Sequence, residues 1–322
     1  MRVGVDVGGT KVLGVLIDEA AGGAPVVLGR IRLDSLPGAA GVTGQVVAAV
    51  QGLCSSAGVP VHQLSGVGVG IPGVVDPDRG TVSHAVNLGL VETIDLGGIL
   101  AAELGVPVRL ENDLNAAAVG AAALLGLARR DLVLLALGTG MAAGLLLDGR
   151  LRRGAGGAAG EIGHVTYRAD GPLCACGQRG CLESFASGRA LEAAWLGRPA
   201  DAAERREGPA PAKVVAAAQD GEPWAVAVHE TFVDAVATAV RVLVLTCDPE
   251  HVVLGGGVAG LGEALLGPVR EALVRQTEDS PFLRSLRIPE RLALVPPGSE
   301  PAAVGAALAV PHPEHQEVLW RS

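Results

Sequence analysis

Three groups of residues have the types and spacing to do chemistry. The first is Glu111-Asn112-Asp113-Leu114-Asn115, four polar side chains set between an apolar run ending at Leu110 and an Ala-rich run. A carboxylate there serves either as the N-cap of the helix that the Ala-rich run predicts or as a general base. In phosphoryl transfer to an alcohol such a base takes the hydroxyl proton as the O–P bond forms. Asp113 is the candidate base, with Asn112 beside it to fix the acceptor. The second group is a pair of glycine turns. Gly8, Gly9 and Thr10 lie between two β-like runs, and without a Cβ their N–H groups can approach a phosphate. Thr10 adds a hydroxyl, Lys11 a cation, and Asp6 a carboxylate able to orient hydrated Mg²⁺. Gly138-Thr139-Gly140 repeats the pattern between two further β-like runs. Read alone, each is also an ordinary hairpin turn.

The third group is His164 with Cys174, Cys176 and Cys181. Three thiolates and one imidazole make a closed tetrahedral Zn²⁺ site of the structural kind. The alternative is a set of reduced, unconnected cysteines, which leaves unexplained why three of five cysteines cluster with turn glycines between them. Glu161 and Glu183 flank these ligands, so a metal would bring two carboxylates near a common point; otherwise they are solvated surface charge.

Two familiar nucleotide signatures fail. No Gly-x-x-x-x-Gly-Lys-Ser/Thr run exists. Gly68-x-Gly70-x-x-Gly73 fits the dinucleotide fingerprint in letters, but Val74-Val75-Asp76-Pro77 cannot open the helix that must follow.

The elements that must position these groups alternate between short β-like and Ala-rich helical runs, the pattern of an α/β protein. Strands are expected at 3–7, 12–17, 66–71, 106–110, 132–137, 143–147, 252–254 and 292–295. Helices are expected at 42–57, 113–127, 183–196, 224–246, 261–277 and 302–310. Residues 197–223, rich in Pro, Ala and charge, read as a surface loop. The 322 residues suggest two domains. Apolar residues make up 49% of the chain and aromatics only 2%, so Val, Leu and Ala must fill the cores. Charges of 25 basic and 34 acidic residues sum to −9, which disfavours a nucleic-acid partner. No signal-peptide or membrane-spanning pattern occurs, so the expectation is a cytoplasmic protein.

Taken in order, the motifs resemble the ROK family of bacterial sugar kinases and sugar-responsive repressors, over nearly the whole chain, and within it the glucokinases most. Asp6-Val-Gly-Gly-Thr-Lys11 resembles the family's first phosphate motif and Leu137-Gly-Thr-Gly140 its second. Gly70-Ile-Pro-Gly73-Val-Val-Asp76 and Asn87-Leu88 resemble its sugar-side loops, and Glu111-Asn-Asp113 its catalytic segment. Gly160-Glu-Ile-Gly-His164 with Cys174-x-Cys-Gly-x-x-Gly-Cys-Leu-Glu183 is the most specific run, and Leu254-Gly-Gly-Gly257 resembles the glycine turn beside the adenosine.

The resemblance implies an actin/hexokinase-like (ribonuclease H-like) α/β fold of two lobes with a cleft between them. Residues 1–115 would form one lobe, joined by a C-terminal helix at about 301–322; residues 116–300 would form the other, with the zinc-binding loop. It implies ATP, Mg²⁺ and structural Zn²⁺, with phosphate passing to a hexose hydroxyl. Asp113 would be the base; Gly73, Asn87, Asn112, Glu161, His164 and Glu183 would bind the sugar, His164 serving zinc through its other nitrogen. Asp6, Gly8, Gly9, Thr10, Lys11, Gly138, Thr139, Gly140, Gly144 and Gly256 would bind the nucleotide. A homodimer or homotetramer is also implied.

Two departures stand out. Met141-Ala142-Ala143 stand where more glycines usually precede Gly144, and their Cβ atoms are expected to crowd the nucleotide. Leu90 stands where many of the family's glucokinases carry Trp. Glucose phosphorylation is the leading expectation, with a fructokinase or N-acetylhexosamine kinase beside it. A repressor is disfavoured, since family repressors carry a helix-turn-helix before the first phosphate motif and Asp6 lies almost at the N-terminus. A sugar-binding regulator without turnover is the remaining alternative.

Overall fold

A computed structural model describes residues 1–18, 25–128, 130–199 and 208–310. The chain divides into two compact units: 1–131 with 144–157 and the residues from 298 on, and 132–143 with 158–297. The first unit therefore runs on past residue 115, to Asp131, before the second begins.

In the first unit, β1 (Arg2–Val7) and β2 (Lys11–Asp18) form the hairpin expected around Gly8–Thr10, and β3 (Val26–Asp34) pairs antiparallel with β2. Val3, Val5 and Val7 are wholly buried. The edge strand β3 exposes alternate residues, among them Arg30, Arg32 and Asp34, charges that discourage pairing with another chain. Helix α1 (Gly38–Ala57) buries Val42, Val46, Ala49, Val50 and Leu53, one helical face against this sheet's core. β4 (Val67–Ile71) then runs parallel to β1, followed by the small hairpin β5 (Val74–Asp76) and β6 (Thr81–Ser83). Helix α2 (Leu96–Leu104) starts where the Asp95 carboxylate accepts the Gly98 N–H at 2.9 Å. β7 (Val108–Asn112) runs parallel to β4 and leads into α3 (Asp113–Leu124). The sheet order is β3-β2-β1-β4-β7.

The second unit opens with β8 (Leu132–Leu137), the Gly138–Gly140 turn and the first residues of β9 (Met141–Leu147). The end of β9 and its antiparallel partner β10 (Arg150–Leu151) belong to the first unit. Helices α4 (Gly188–Leu196), α5 (Ala210–Gln219) and α6 (Pro223–Cys247) follow. Then come β11 (His251–Gly255), α7 (Glu263–Thr277), the short α8 (Pro281–Ser285) and β12 (Leu292–Leu294). β11 pairs parallel with β8 on one side and β12 on the other. The echo seen in sequence is thus topological: β11 and β12 follow β8 as β4 and β7 follow β1. Helix α5 lies inside the stretch expected to be a loop, of which 200–207 fall outside the described residues.

The chain ends its described part with α9 (Pro301–Ala309) in the first unit. The remainder of the expected terminal helix, 311–322, lies outside the described residues. α9 rests on β1 and β4 at Gly4 and Gly68, and a Cβ at Gly68 would run into the Ala306 carbonyl. It meets α3 through Gly305 and Gly120, where a Cβ on either would strike the other helix's backbone. This backbone-to-backbone contact places α3 in the first unit. Among the described residues no helix is long and apolar enough to cross a membrane.

Candidate functional site

The first unit gathers its polar residues at the ends of β1, β4 and β7. Asp6 is paired in register with Gly70, and Gly70 with Glu111. Because Gly70 has no side chain, the Asp113 Cα stands only 3.6 Å from where its Cβ would be. Burial pushes Asp6 up to about 7; the neighbouring Asp113 charge adds to the rise and Lys11 offsets part of it. Burial also raises Asp113, while the Leu114 N–H opposes it by donating to Oδ1 at 2.8 Å.

Asn112, rather than Asp113, is the cap of α3. Its Oδ1 accepts the N–H groups of Leu114 at 3.0 Å and Asn115 at 3.2 Å, and its Nδ2 donates to the Gly73 carbonyl at 3.4 Å. Asp113 is therefore the first helical residue and not the cap, although its Oδ1 also accepts the Leu114 N–H. Gly73 has φ +103°, and a Cβ there would lie 2.5 Å from the Ser83 carbonyl, so only glycine fits.

In the first glycine turn the Gly8 N–H donates to the Lys11 carbonyl at 2.9 Å. Asn87, in a 3₁₀ turn at Val86–Leu88, packs over Gly9, whose missing Cβ would stand 3.3 Å from the Asn87 Cβ. Thr10 and Lys11 follow at the hairpin's return, Lys11 exposed. Gly144 lies elsewhere: a Cβ there would meet Ala118 Cβ at 2.7 Å and the Leu114 carbonyl at 2.9 Å. Packing on α3 therefore requires glycine here, whatever the residue's part toward a nucleotide.

Glu111, read in sequence only as part of the catalytic segment, and Arg153, which the sequence did not single out, complete this cluster. Glu111 is 1% exposed. Its Oε1 accepts from the Asn112 N–H at 3.1 Å and Asn115 Nδ2 at 3.2 Å, and its Oε2 accepts from Arg153 at 2.5 Å.

The second unit gathers the rest. The Gly138 N–H donates to the Gly140 carbonyl at 3.0 Å, closing the second turn. Helix α4 begins against it, the Gly188 N–H reaching the Gly138 carbonyl at 2.7 Å and the Arg189 N–H the Thr139 carbonyl at 3.4 Å. Gly256, at φ +81°, sits against Leu137, so the structure brings it beside this turn. Glu183 lies under Gly140: its Oε2 accepts the Met141 N–H at 2.9 Å, and a Cβ on Gly140 would collide with that oxygen. Met141 and Ala143 are 3% and 1% exposed. Both side chains are packed into the protein, while Ala142 between them is half-buried. The Gly160–His164 run lies along these residues, with the Ala143 N–H donating to the Gly160 carbonyl at 2.7 Å.

His164, Cys174, Cys176 and Cys181 bring one ligand atom each within 4.8 Å of one another. His164 Nδ1 stands 3.7 Å from Cys174 Sγ, and Cys176 Sγ 3.7 Å from Cys181 Sγ. Ligands about 2.3 Å from a tetrahedral metal stand roughly 3.7 Å apart, so the donor set and its spacing fit Zn²⁺. The Gln178 N–H holds the Cys176 thiol down to about 7, and burial pushes Cys181 up to about 12. The other ring nitrogen of His164, Nε2, lies 3.8 Å from Glu161 Oε2. Imidazole and carboxylate thus sit together on the side away from the sulfurs.

The ROK family profile matches residues 2–310. A glucokinase of Streptomyces coelicolor is 32% identical over 85% of this chain and 87% of its own. An N-acetylmannosamine kinase of Yersinia pseudotuberculosis is 32% identical over 79% and 82%. The crystal structure of a ROK family glucokinase from Streptomyces griseus, in complex with glucose and AMPPNP, is 31% identical and superposes with a TM-score of 0.75 over 95% of this chain and 97% of its own. The α/β fold expected from the motifs, actin/hexokinase-like, is the fold these structures share. On the match along its length and on these likenesses, the chain belongs to the ROK family.

Proposed function

We propose that this chain is an ATP-dependent hexokinase that transfers the γ-phosphate to glucose, giving glucose 6-phosphate. The observation that carries this is Asp113: a carboxylate at the first position of α3, behind the Asn112 cap, whose proton affinity burial raises, the change a general base needs. Asp113 takes the proton of the attacking hydroxyl. Asn87, Asn112, Glu161, His164 and Glu183 hold the sugar hydroxyls, Glu183 through the oxygen not bound to Met141, and Gly73 shapes the loop against Asn112. Gly8, Gly9, Thr10, Lys11, Gly138, Thr139 and Gly140 face the phosphates and Gly256 the adenosine. Mg²⁺ entering with ATP neutralises charge on the transferring group. Asp6 would hold it through water, since Mg²⁺ keeps most of its hydration shell. Zn²⁺ on His164, Cys174, Cys176 and Cys181 would fix the loop and turn the His164 Nε2 toward the sugar. The same proposal takes the enzyme to be cytoplasmic and a homodimer or homotetramer.

A second acceptor, N-acetylmannosamine or a related N-acetylhexosamine, stands beside glucose because Leu90 weakens the case for glucose in particular. This residue is 5% exposed in the loop that carries Asn87 and replaces the Trp of many family glucokinases. A coupled ATP-consumption assay across glucose, fructose, mannose, N-acetylglucosamine and N-acetylmannosamine decides. The highest kcat/KM is expected for glucose. A higher value for an N-acetylhexosamine selects the second acceptor, and no ATP consumption with any sugar overturns the kinase.

A further inference from the structure

Glu111 is the one acidic side chain in the fully buried class among the described residues. A buried carboxylate is costly unless donors surround it. Here Oε1 accepts from the Asn112 N–H at 3.1 Å, Asn115 Nδ2 at 3.2 Å and Arg153 Nε at 3.4 Å, and Oε2 from a terminal nitrogen of Arg153 at 2.5 Å. Arg153, 42 residues away, is only 18% exposed. It follows β10, whose pairing with β9 the Arg152 N–H extends by donating to the Leu145 carbonyl at 2.8 Å.

Such an ion pair is a poor source of stability, because a well-packed apolar pair of similar volume does as well. What it does supply is direction. The guanidinium fork fixes the plane of the Glu111 carboxylate. That carboxylate holds the backbone N–H of Asn112 and the side chain of Asn115, which bracket Asp113 on either side. Asn112 in turn caps α3 and so sets the first helical turn on which Asp113 stands.

We propose that Glu111 and Arg153 are the positioning pair of the phosphoryl-transfer site, holding Asn112 and Asp113 at the angle and depth at which they meet the acceptor hydroxyl. This rests on the kinase assignment above. Arg153 also begins the glycine-rich segment 154–160 that runs on to Glu161 and His164. One guanidinium therefore holds the base's segment to the residue from which the chain runs on to Glu161 and His164, two of the proposed sugar ligands.

The test is Arg153→Met, Glu111→Gln and the double variant, each assayed for kcat, for the KM of ATP and for hexose affinity by calorimetry without nucleotide. Displacing a catalytic group by about 1 Å costs on the order of 10²-fold. Arg153→Met is therefore expected to lower kcat about 10–100-fold and to weaken hexose binding through Asn112, with the KM for ATP within about threefold of wild type. The double variant should fall no further than the worse single one, since the two residues act as a unit. Added guanidinium at low millimolar concentration should restore part of the kcat of Arg153→Gly. Should Glu111→Gln fail to fold, Arg153→Met and Arg153→Lys carry the test, because Arg153 keeps some contact with solvent. A folded Arg153→Met with unchanged kcat and unchanged hexose affinity overturns the proposal, as do independent losses that multiply in the double variant. If wild type consumes no ATP with any hexose, the kinase assignment fails. The hexose affinities still decide this pair.

Discussion

The Oε2 atom of Glu183 accepts the Met141 N–H at 2.9 Å directly beneath Gly140, leaving no room for a Cβ on that glycine. The residue assigned to phosphate and the residue assigned to sugar are in contact within one turn. Gly9 and Asn87 repeat the arrangement in the first unit. Gly140→Ala should therefore weaken hexose binding as well as nucleotide binding, because the new methyl pushes the Glu183 carboxylate off Met141. Calorimetry with glucose and with a non-hydrolysable ATP analogue reads both; an unchanged glucose affinity would show that Glu183 does not bind the sugar.

Asp113→Asn removes the proton acceptor and little else, since Asn is nearly isosteric and can still accept the Leu114 N–H. The expected result is a folded protein with hexose affinity close to wild type and kcat lowered about 10²–10⁴-fold. A near-normal kcat would mean that another carboxylate takes the proton.

Asp6 makes stability depend on pH. Its proton affinity is raised from 3.8 to about 7 in the folded chain, so between these values the folded state binds more protons than the unfolded one. Stability from this group is full below about pH 4 and is lost as pH rises through 7, at up to roughly 1.4 kcal/mol per unit. Asp6→Asn should remove this loss, so the variant gains on wild type as pH goes from 5 to 8. It should also lose its Mg²⁺-dependent activity, a trade of function for stability. Urea unfolding of both proteins at pH 5, 6.5 and 8 tests the sign; a gap that narrows toward pH 8 contradicts it.

If the four-ligand loop holds Zn²⁺, elemental analysis should give about one zinc per chain. Cys176→Ser should lower zinc content and hexose affinity together, although Cys176 need not touch the sugar, because the metal fixes His164 and its neighbour Glu161. Misplaced groups around a metal site typically cost about 10–100-fold. Zinc loss with normal hexose affinity would reduce the loop to a structural clip.

The chemistry was legible where it is local. Cys174-x-Cys176 with Cys181 and His164, the hairpin around Gly8–Thr10, and the junction at Asn112–Asp113 are each written within a few residues. The same locality hid other elements. Helix α2 carries Gly97 and Gly98 in its first turn, which read as a breaker until Asp95 is seen to cap it. Strand β3 alternates with apolar residues on both faces at its start, Val26 and Leu28 being exposed, so no period stood out. Arg153, the partner of Glu111, was out of reach for another reason. Arg153 is one of three arginines within 150–153, and nothing in its neighbours distinguishes the one that turns inward from the two that do not. Gly144 shows the converse: its place in a motif suggests a ligand, and its close packing on α3 supplies a second reason for glycine that the motif does not reveal.

The seat of α9 on Gly4 and Gly68 has a consequence for how the protein is made. Helix α3 ends at Leu124 and its partner α9 begins at Pro301. At 5–20 residues per second, roughly 10–35 s of synthesis separate the two. Through that interval the sheet of the first unit has been translated but lacks the helix that covers Gly4 and Gly68, while the residues of the second unit are being made. Every residue of the second unit is thus made before the first unit receives the helix that completes it. Truncation before residue 301 should leave nascent chains dependent on chaperones, with the β1–β4 face open to aggregation.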